Sequence, residues 1–515
     1  MSCCILSRKL HVFKQSTFSF SILRTYCSKS LGLWNNDLDE SIKKKIEEHW
    51  KHKLKRFRYD PEDNKREKFY VLSMFPYPSG KLHIGHVRVY TISDSIARFH
   101  RMQGKNVFQP MGWDAFGLPA ENAAIERGVS AESWTSDNIK TMKDQLMDLE
   151  CSFDWDSELA TCHPGYYKFT QDIFLRMYHA GLVYQKETLE NWDPVDKTVL
   201  ADGQFCENGR SWRSGAKVQK KPLRQWFIRS TKFAKSLYEG LDSPILENWR
   251  DITKVQKHWI GECNGTVIEF PISGSGDDNT LSVWTDKAEH IARSKFILLA
   301  PGSLLDRMYP GEMNRKLNIE ATNPITGEKL PIYVAGKLDE EDTSAQPDCK
   351  LGIPDASVSD REYARLFGLT VDESSPLLAD DLEERDRICA RAASEGIGGH
   401  QVSSTLRDWL ISRQRHWGTP IPIIHCQQCG SDSSRETDTM DTFVDSSWYY
   451  LRYTDPRNQE MAFNKESANK LVPVDIYVGG KEHAVLHLYY ARFVSHFLHS
   501  IGWLKEKEPF KRMLV

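Results

Sequence analysis

The first part of the chain combines a helical, a strand and a second helical pattern of hydrophobic residues. Between residues 41 and 57, apolar side chains recur every three or four positions among lysines, which predicts an amphipathic helix with its lysines in water. Residues 69 to 75 are mostly apolar and end at a segment rich in Pro and Gly, as expected of a buried strand. Helical spacing then continues to Met102, and a short strand is predicted at residues 106 to 110. This order predicts a parallel strand–helix–strand unit.

A second strand and helix pattern lies near the carboxyl end of the chain. Residues 474 to 478 predict a strand, Gly479 and Gly480 follow, and helical spacing continues to about Ser500. The two strand-to-helix turns, one in each unit, can meet at the carboxyl edge of one parallel sheet, where open α/β folds bind nucleotides. The stretch between the two units is too long for a loop, so we interpret it as an inserted domain. Its own predicted strands are 265–270, 281–285 and 330–334, and its predicted helices are 360–367 and 382–394.

Composition and charge narrow the class of protein further. With 515 residues, of which 40% are hydrophobic and 27% charged, the chain has the length for several domains and the composition of an ordinary globular protein. No segment approaches the roughly 18 consecutive apolar residues of a membrane span, so no membrane partner is expected. The net charge of -3 gives no basic excess, so a nucleic-acid partner has to be inferred from local sites.

The N-terminal segment has the composition of a targeting sequence. Residues 1 to 36 contain no acidic residue, whereas basic residues such as Arg8, Lys14 and Arg24 lie among serine, threonine and apolar residues. This composition is typical of a mitochondrial presequence, and a disordered start is the alternative. We expect a presequence over residues 1–30 and a location in the mitochondrial matrix.

The first strand-to-helix turn carries residues suited to phosphate chemistry. His83 and His86 lie three positions apart at the predicted start of a helix, beside amide groups that have no partner within the helix. Their imidazoles can donate hydrogen bonds to a triphosphate as pyrophosphate leaves. Gly85 has no side chain, so a flat base can stack on the backbone. Two histidines at this spacing are weak evidence alone, because surface or core histidines are the common alternative.

Five segments around these residues resemble the signatures of class I aminoacyl-tRNA synthetases, in that family's order. The Pro-Tyr-Pro-Ser-Gly lead of the first is similar to the version in leucyl-tRNA synthetases. The five are Phe75–His86, Gln109–Glu121, Asp408–Gly418, Asp441–Tyr450 and Gly479–Ala484. The resemblance, which covers about residues 40 to 515, implies an α/β fold: a Rossmann-like catalytic domain with a parallel sheet, interrupted by an inserted α+β editing-type domain. The implied domains are 31–225 and 406–515 for the two catalytic halves and 226–405 for the insert.

The resemblance also implies a reaction and its site residues. Leucine and ATP, which arrives with Mg²⁺, would give leucyl-adenylate, and the leucyl group would pass to leucine tRNA on a monomeric enzyme. Asp114 would take the α-ammonium group of leucine. The residues with implied roles in catalysis are His83, Gly85 and His86, and those in ATP binding are His83, His86, Gly479, Gly480 and Glu482. The implied leucine pocket consists of Met74, Tyr77, Asp114, Phe443, Ser446, Tyr449, His483 and His487.

The insert departs from the family at its editing site. A hydrophobic pocket separates side chains that differ by one methylene only about 10- to 200-fold, so synthetases for small apolar amino acids often have a second, hydrolytic site. The family's threonine-rich strand and Arg-Pro-Asp-Thr run correspond here to residues 283–290, which keep one threonine, Thr285. Asp360 is the candidate for holding the mischarged amino group. We predict weak or absent editing.

No metal ligand is predicted apart from the Mg²⁺ that accompanies ATP. Some relatives bind zinc through paired cysteines, but residues 191–196 and 211–214 contain none. Cys426 and Cys429 have ligand spacing without the second pair that a tetrahedral site requires. His483 and His487 are four residues apart, which also suits zinc, but no carboxylate ligand follows them.

The second class I signature, Lys-Met-Ser-Lys-Ser, does not occur in this sequence. Its lysines stabilise the triphosphate in the transition state, so three functions stay open. The favoured one is a mitochondrial leucine–tRNA ligase by ancestry, with the activity of this chain alone in question. The second is a non-catalytic module that binds ATP, leucine or RNA. The third is a synthetase for valine, isoleucine or methionine, against which residues 77–80 and 446–450 argue.

Overall fold

The computed structural model describes most of the chain. The described residues are 39–51, 58–195, 197–200, 208–211, 214–273, 280–336, 348–372, 374–426, 433–480 and 485–515. The predicted presequence, Cys429, Glu482 and His483 lie outside them. No helix in the described part of the chain is long and apolar enough to cross a bilayer.

The part of the chain before the insert alternates strands and helices. Its helices are α1 Glu40–Lys51, α2 Ile84–Met102, α3 Leu118–Arg127, α4 Ala131–Asp148, α5 Pro164–His179, α6 Ala234–Gly240 and α7 Asp251–Ile260. Its strands are β1 Lys68–Ser73, β2 Asn106–Phe108, β3 Pro110–Trp113, β4 Asp154–Ala160, β5 Val183–Asp193, β6 Thr198–Leu200 and β7 Gln219–Ile228.

The insert forms a seven-stranded mixed sheet with its own hydrophobic core. Its strands are β8 Gly265–Pro271, β9 Thr280–Thr285, β10 Phe296–Leu299, β11 Arg315–Thr322, β12 Lys329–Val334, β13 Cys349–Gly352 and β14 Gly398–Val402. They are ordered β11, β12, β10, β13, β9, β8, β14. Its helices are α8 Leu304–Met308, α9 Val358–Leu366 and α10 Leu382–Ser394.

The remaining elements follow the insert in sequence, and some of them pair with strands of the first part. The strands are β15 Trp409–Leu410, β16 Ser412–Arg413, β17 Ile424–His425, β18 Ser434–Arg435, β19 Thr439–Met440, β20 Ile476–Val478 and β21 Met513–Leu514. The helices are α11 Thr442–Ser446, α12 Tyr449–Arg452, α13 Lys465–Leu471 and α14 Leu486–Ser500. β15 pairs with β7, so the two sides of the insert are joined by an antiparallel ladder.

The two predicted strand-to-helix units meet on one parallel sheet, which confirms the α/β fold. β1 lies between β2 and β20, with Phe69 opposite Val107 and Leu72 opposite Tyr477, and β21 completes the order β2, β1, β20, β21. The chain leaves β1 towards one side and returns at β20 on the other. Such a reversal opens a crevice at the carboxyl ends of the two central strands, where ligands of this architecture bind.

Several elements differ from the sequence predictions in their limits. The strand predicted at 106–110 is two strands, because the chain changes partner at Gln109: β2 pairs with β1, whereas β3 pairs in parallel with β4. The long antiparallel ladder between β5 and β7, in which Val183 to Trp192 of β5 are paired, has no counterpart in the predictions. Buried residues of α6 and α7, such as Leu237 and Ile260, belong to the core cluster of the catalytic half. The predicted insert boundary at residue 226 therefore stays a prediction, and the insert's own sheet begins at Gly265.

Candidate active site

The histidine turn forms a reciprocal cap at the start of α2. His83 is the N-cap residue, and its Nδ1 accepts a hydrogen bond from the N–H of Gly85 at 3.1 Å. The Nδ1 of His86 accepts one from the N–H of His83 at 3.2 Å, and the two rings lie 3.8 Å apart. A neutral imidazole whose Nδ1 accepts a hydrogen bond carries its proton on Nε2. Both histidines therefore keep an Nε2–H donor for a ligand.

Burial keeps His86 neutral. It lowers the pKa of His86 to about 4, and the neighbouring His83 contributes to the same shift. His86 therefore offers a hydrogen-bond donor at neutral pH and no positive charge. Gly85 is needed for this geometry, because a Cβ there would lie 2.9 Å from Cε1 of His83. Base stacking on Gly85 stays a prediction.

The second turn brings a predicted ATP-binding residue against a predicted leucine-binding one. Gly479 follows β20, and its N–H donates to the carbonyl of Leu514 at 3.0 Å. A Cβ at residue 479 would lie 2.1 Å from Sδ of Met74, so only glycine allows the Met74 side chain to pack here. The Met74 N–H in turn donates to the carbonyl of Val478 at 2.9 Å. The two strand ends are thus tied together directly at the crevice.

Asp114 is a buried carboxylate without an ion pair among the described residues. It follows β3 and is 2% exposed. Its Oδ1 lies 3.5 Å from Oγ1 of Thr161, at the limit of a hydrogen bond. Burial, and after it the charge of Asp445, raises the pKa of Asp114 well above its ordinary range. The N–H of Asp114 donates to the carbonyl of Pro76 at 3.0 Å, which places Asp114 beside Tyr77, another predicted pocket residue. After burial, the charge of Asp114 is the largest influence that raises the pKa of Tyr77.

A chain of buried hydroxyl groups connects other predicted pocket residues. The Tyr449 hydroxyl donates to that of Tyr477 at 2.8 Å, which leaves the Tyr477 proton for Nε2 of His487 at 2.7 Å. The ring of Phe443 lies 6.2 Å from that of His487. Ser446 lies in α11, and its hydroxyl donates to the carbonyl of Thr442 at 3.2 Å. The structure thus brings Phe443, Tyr449 and His487 together around Tyr477.

Sequence reasoning did not assign a role to Tyr477, Asp441 or Asp445. Tyr477 lies in the predicted strand two positions before Gly479, and a large polar-tipped side chain at a strand end was the available signal. Asp441 and Asp445 lie within the segment that resembles the family but look like ordinary helix residues in sequence. Asp441 caps α11 and forms an ion pair with Arg413.

Both predicted editing residues form hydrogen bonds with other residues of the insert. Thr285 is buried, and its hydroxyl oxygen accepts a hydrogen bond from the N–H of Lys287 at 3.1 Å. Asp360 accepts hydrogen bonds from Nζ of Lys350 and from the N–H of Ile353, each at 2.9 Å. Both carboxylate oxygens of Asp360 are thus engaged. A role of either residue in editing stays a prediction.

No group of three or more potential metal ligands lies within the part of the chain that the structure describes. Cys426 is exposed, and its sequence partner Cys429 is outside that part. The expectation that the chain has no zinc site is therefore not tested.

Comparison with known proteins agrees with the fold. The family model for class I tRNA synthetases (I, L, M and V) matches residues 45–268. The chain is 43% identical, over 95% of its length, to the probable mitochondrial leucine–tRNA ligase of Mus musculus, of which it covers 62%. It is 41% identical, over 91% of its length, to the leucine–tRNA ligase of a Cyanothece species, of which it covers 66%.

A solved structure shares the same fold. In the ternary complex of Agrobacterium radiobacter K84 LeuRS with tRNA and LeuAMS, the synthetase is 36% identical with a TM-score of 0.67, and the match covers 91% of this chain and 66% of that one. The chain thus spans 62 to 66% of the length of these relatives.

The parallel sheet, the histidine turn and these similarities define a class I aminoacyl-tRNA synthetase fold. Within that class, 91 to 95% of the chain is similar to leucine–tRNA ligases, at 36 to 43% identity.

Proposed function

We propose that this chain takes part in leucine–tRNA ligation in the mitochondrial matrix. It would bind leucine, ATP with Mg²⁺ and leucine tRNA, and act as a monomer. The observation that carries the proposal is the position of Asp114, a buried carboxylate next to Tyr77 at the crevice between the two strand-to-helix turns. A buried carboxylate that lacks a cation of its own suits the α-ammonium of an amino acid.

The histidine turn suits the triphosphate. The N-terminus of α2 presents amide groups and a positive dipole end, and His83 and His86 each add an Nε2–H donor. Such donors stabilise the negative charge that moves to pyrophosphate when the leucine carboxylate attacks the α-phosphorus. Mg²⁺ would arrive with ATP and neutralise phosphate charge. Gly480 and Glu482 are proposed to contact the adenosine part.

The hydrophobic side chains of the proposed pocket suit the leucine side chain. Met74 packs on Gly479, and Phe443 lies near His487, so apolar walls and polar tips alternate as in other pockets for small ligands. Ser446, Tyr449 and His483 complete the proposed pocket. Selection of leucine would depend on this pocket, because the paired state of Asp360 in the insert supports the proposal of weak or absent editing.

Leucine-dependent exchange between ATP and pyrophosphate tests the first half-reaction. We expect exchange by the chain without residues 1–30 and its loss in His86→Ala, which removes an Nε2–H donor. The matched control is His258→Ala, on the exposed face of α7, which should retain wild-type exchange. Exchange that is unaffected by His86→Ala would contradict the proposed role of the histidine turn.

Amino-acid competition and binding separate the alternatives. Exchange supported equally by valine, isoleucine or methionine would identify a different synthetase. Leucine binding without exchange would favour a non-catalytic module. Charging of leucine tRNA tests the second half-reaction. Deacylation of isoleucyl-tRNA at the rate of an editing enzyme would contradict the proposal of weak or absent editing. Sedimentation equilibrium tests whether the chain is a monomer.

A further inference from the structure

Asp445 is a buried carboxyl group with only part of its hydrogen-bonding capacity satisfied. It lies in α11, directly before Ser446, and is 0% exposed. Its Oδ1 accepts hydrogen bonds from Oγ1 of Thr170 and of Thr419, both at 2.8 Å. Its Oδ2 is buried and has no hydrogen-bond partner among the residues that the structure describes. Native proteins rarely leave such an oxygen unpaired, so the group calls for an explanation.

The surroundings hold Asp445 in place. The Tyr166 hydroxyl donates to its carbonyl oxygen at 2.7 Å, and the Tyr166 ring stacks on Trp448 at 4.5 Å. Trp448 donates through Nε1 to Oγ1 of Thr170 at 3.1 Å. All of these groups are buried, so the carboxyl group cannot turn out to water to satisfy Oδ2.

In the described part of the chain, the titratable groups that interact with Asp445 supply no positive charge. They are Asp441 at the start of α11, Asp114 after β3, Cys162 before α5 and Tyr166 on α5. Asp441 has a cation of its own, Arg413. Burial raises the pKa of Asp445 to about 7, although the Thr419 and Thr170 hydroxyl groups oppose the rise. The carboxyl group is therefore partly protonated at neutral pH.

We infer that Asp445 is a positioning residue for the α-ammonium site, a second carboxylate that ionises when the ammonium group binds at Asp114. This inference rests on the proposed function, which brings a cation to Asp114. A cation favours the ionised form of nearby carboxyl groups, so ligand binding would release the Asp445 proton to the buffer. The ionised pair then attracts the ammonium more strongly than Asp114 alone.

The test is calorimetric titration of the chain with leucine at pH 6, 7 and 8, in buffers of different ionisation enthalpy. The α-ammonium of free leucine stays protonated over this range, so the buffer dependence reports protons released by the protein. We expect the wild-type chain to release more protons at pH 6 than Asp445→Asn does. We also expect the affinity of the wild-type chain for leucine to rise by up to about tenfold between pH 6 and pH 8, and that of the variant to rise less, because only Asp114 of the two can still ionise in the variant. The Asn carbonyl can still accept from Thr170 and Thr419, so the fold should be kept.

A second variant tests the same group without removing it. Thr419→Val deletes one donor that favours the ionised form, so the affinity increase should move to higher pH. Equal proton release and equal pH profiles in wild type, Asp445→Asn and Thr419→Val would overturn the inference while leaving the proposed function intact. A chain that binds leucine at none of these pH values would overturn both.

Discussion

The catalytic half and the insert both bury carboxylates, but in the catalytic half two of them, Asp114 and Asp445, have no cation among the described residues. Glu289 is fully buried and makes two hydrogen bonds with Arg385, at 2.7 and 2.5 Å, and Asp360 is paired with Lys350. Asp114 and Asp445 have no such partner among the described residues. Although burial opposes it, hydrogen bonds from Arg385 lower the pKa of Glu289, whereas the pKa values of Asp114 and Asp445 are raised. A buried carboxylate with its own cation is structurally complete, and one without a cation is suited to a charged ligand.

Replacing Asp114 should have the largest effect on leucine activation. Asp114→Asn removes the charge proposed to hold the ammonium group. For a buried ion pair this loss costs about 4 kcal/mol, on the order of 10³-fold in kcat/KM. The measurement is leucine-dependent ATP–pyrophosphate exchange. The matched variant in the insert, Asp360→Asn, should change exchange less than twofold. Comparable losses in both variants would break the distinction between the two regions.

Removal of a cation in the insert should instead affect local stability. Arg385→Ala leaves Glu289 buried and unpaired, which costs about 3 kcal/mol or more. We expect faster hydrogen–deuterium exchange in residues 288–293, measured by mass spectrometry, with leucine activation unchanged. Arg387→Ala is the control, because its pair with Glu384 is solvent-exposed and contributes little to stability. Unchanged exchange in Arg385→Ala would mean that the pair is not structural.

The hydroxyl chain in the proposed leucine pocket should show a smaller effect. Tyr477→Phe removes the group between Tyr449 and His487, which costs about 1 to 2 kcal/mol. We expect roughly a tenfold rise in the KM for leucine with kcat nearly unchanged, since orientation of the pocket is lost and the phosphate site is intact. Tyr453→Phe is the control, because the Tyr453 hydroxyl is buried without a hydrogen-bond partner in the described part of the chain. A fall in kcat alone would contradict a binding role.

The sequence predicted the framework of this site better than its interior. Strand and helix patterns located β1, β20 and α10 within a few residues, because hydrophobic periodicity is a local property. The resemblance pointed to the two turns and supplied the proposed pocket residues. The state of Asp445 depends on Thr170, 275 positions away in the chain, and on burial at 0% exposure. Neither property can be obtained from local sequence, so unpaired and paired carboxylates look the same until the fold is known.

The smallest effect concerns His86, a titratable donor at the proposed phosphate site. Burial lowers the pKa of His86 to about 4 from an ordinary value of 6.5, so the ring should stay neutral as the pH falls from 8 to 5.5. The unfolded chain takes up this proton near pH 6.5 and the folded chain only near pH 4, so the stabilising contribution of His86 decreases as the pH drops through that window. The Cε1 resonance of His86, assigned with His86→Gln in a chain labelled at histidine, should therefore be constant from pH 8 to 5.5. A midpoint near 6.5 would show that the proposed phosphate site carries a titrating cation. The histidine turn would then not share the lack of cations that distinguishes Asp114 and Asp445 from the paired carboxylates of the insert.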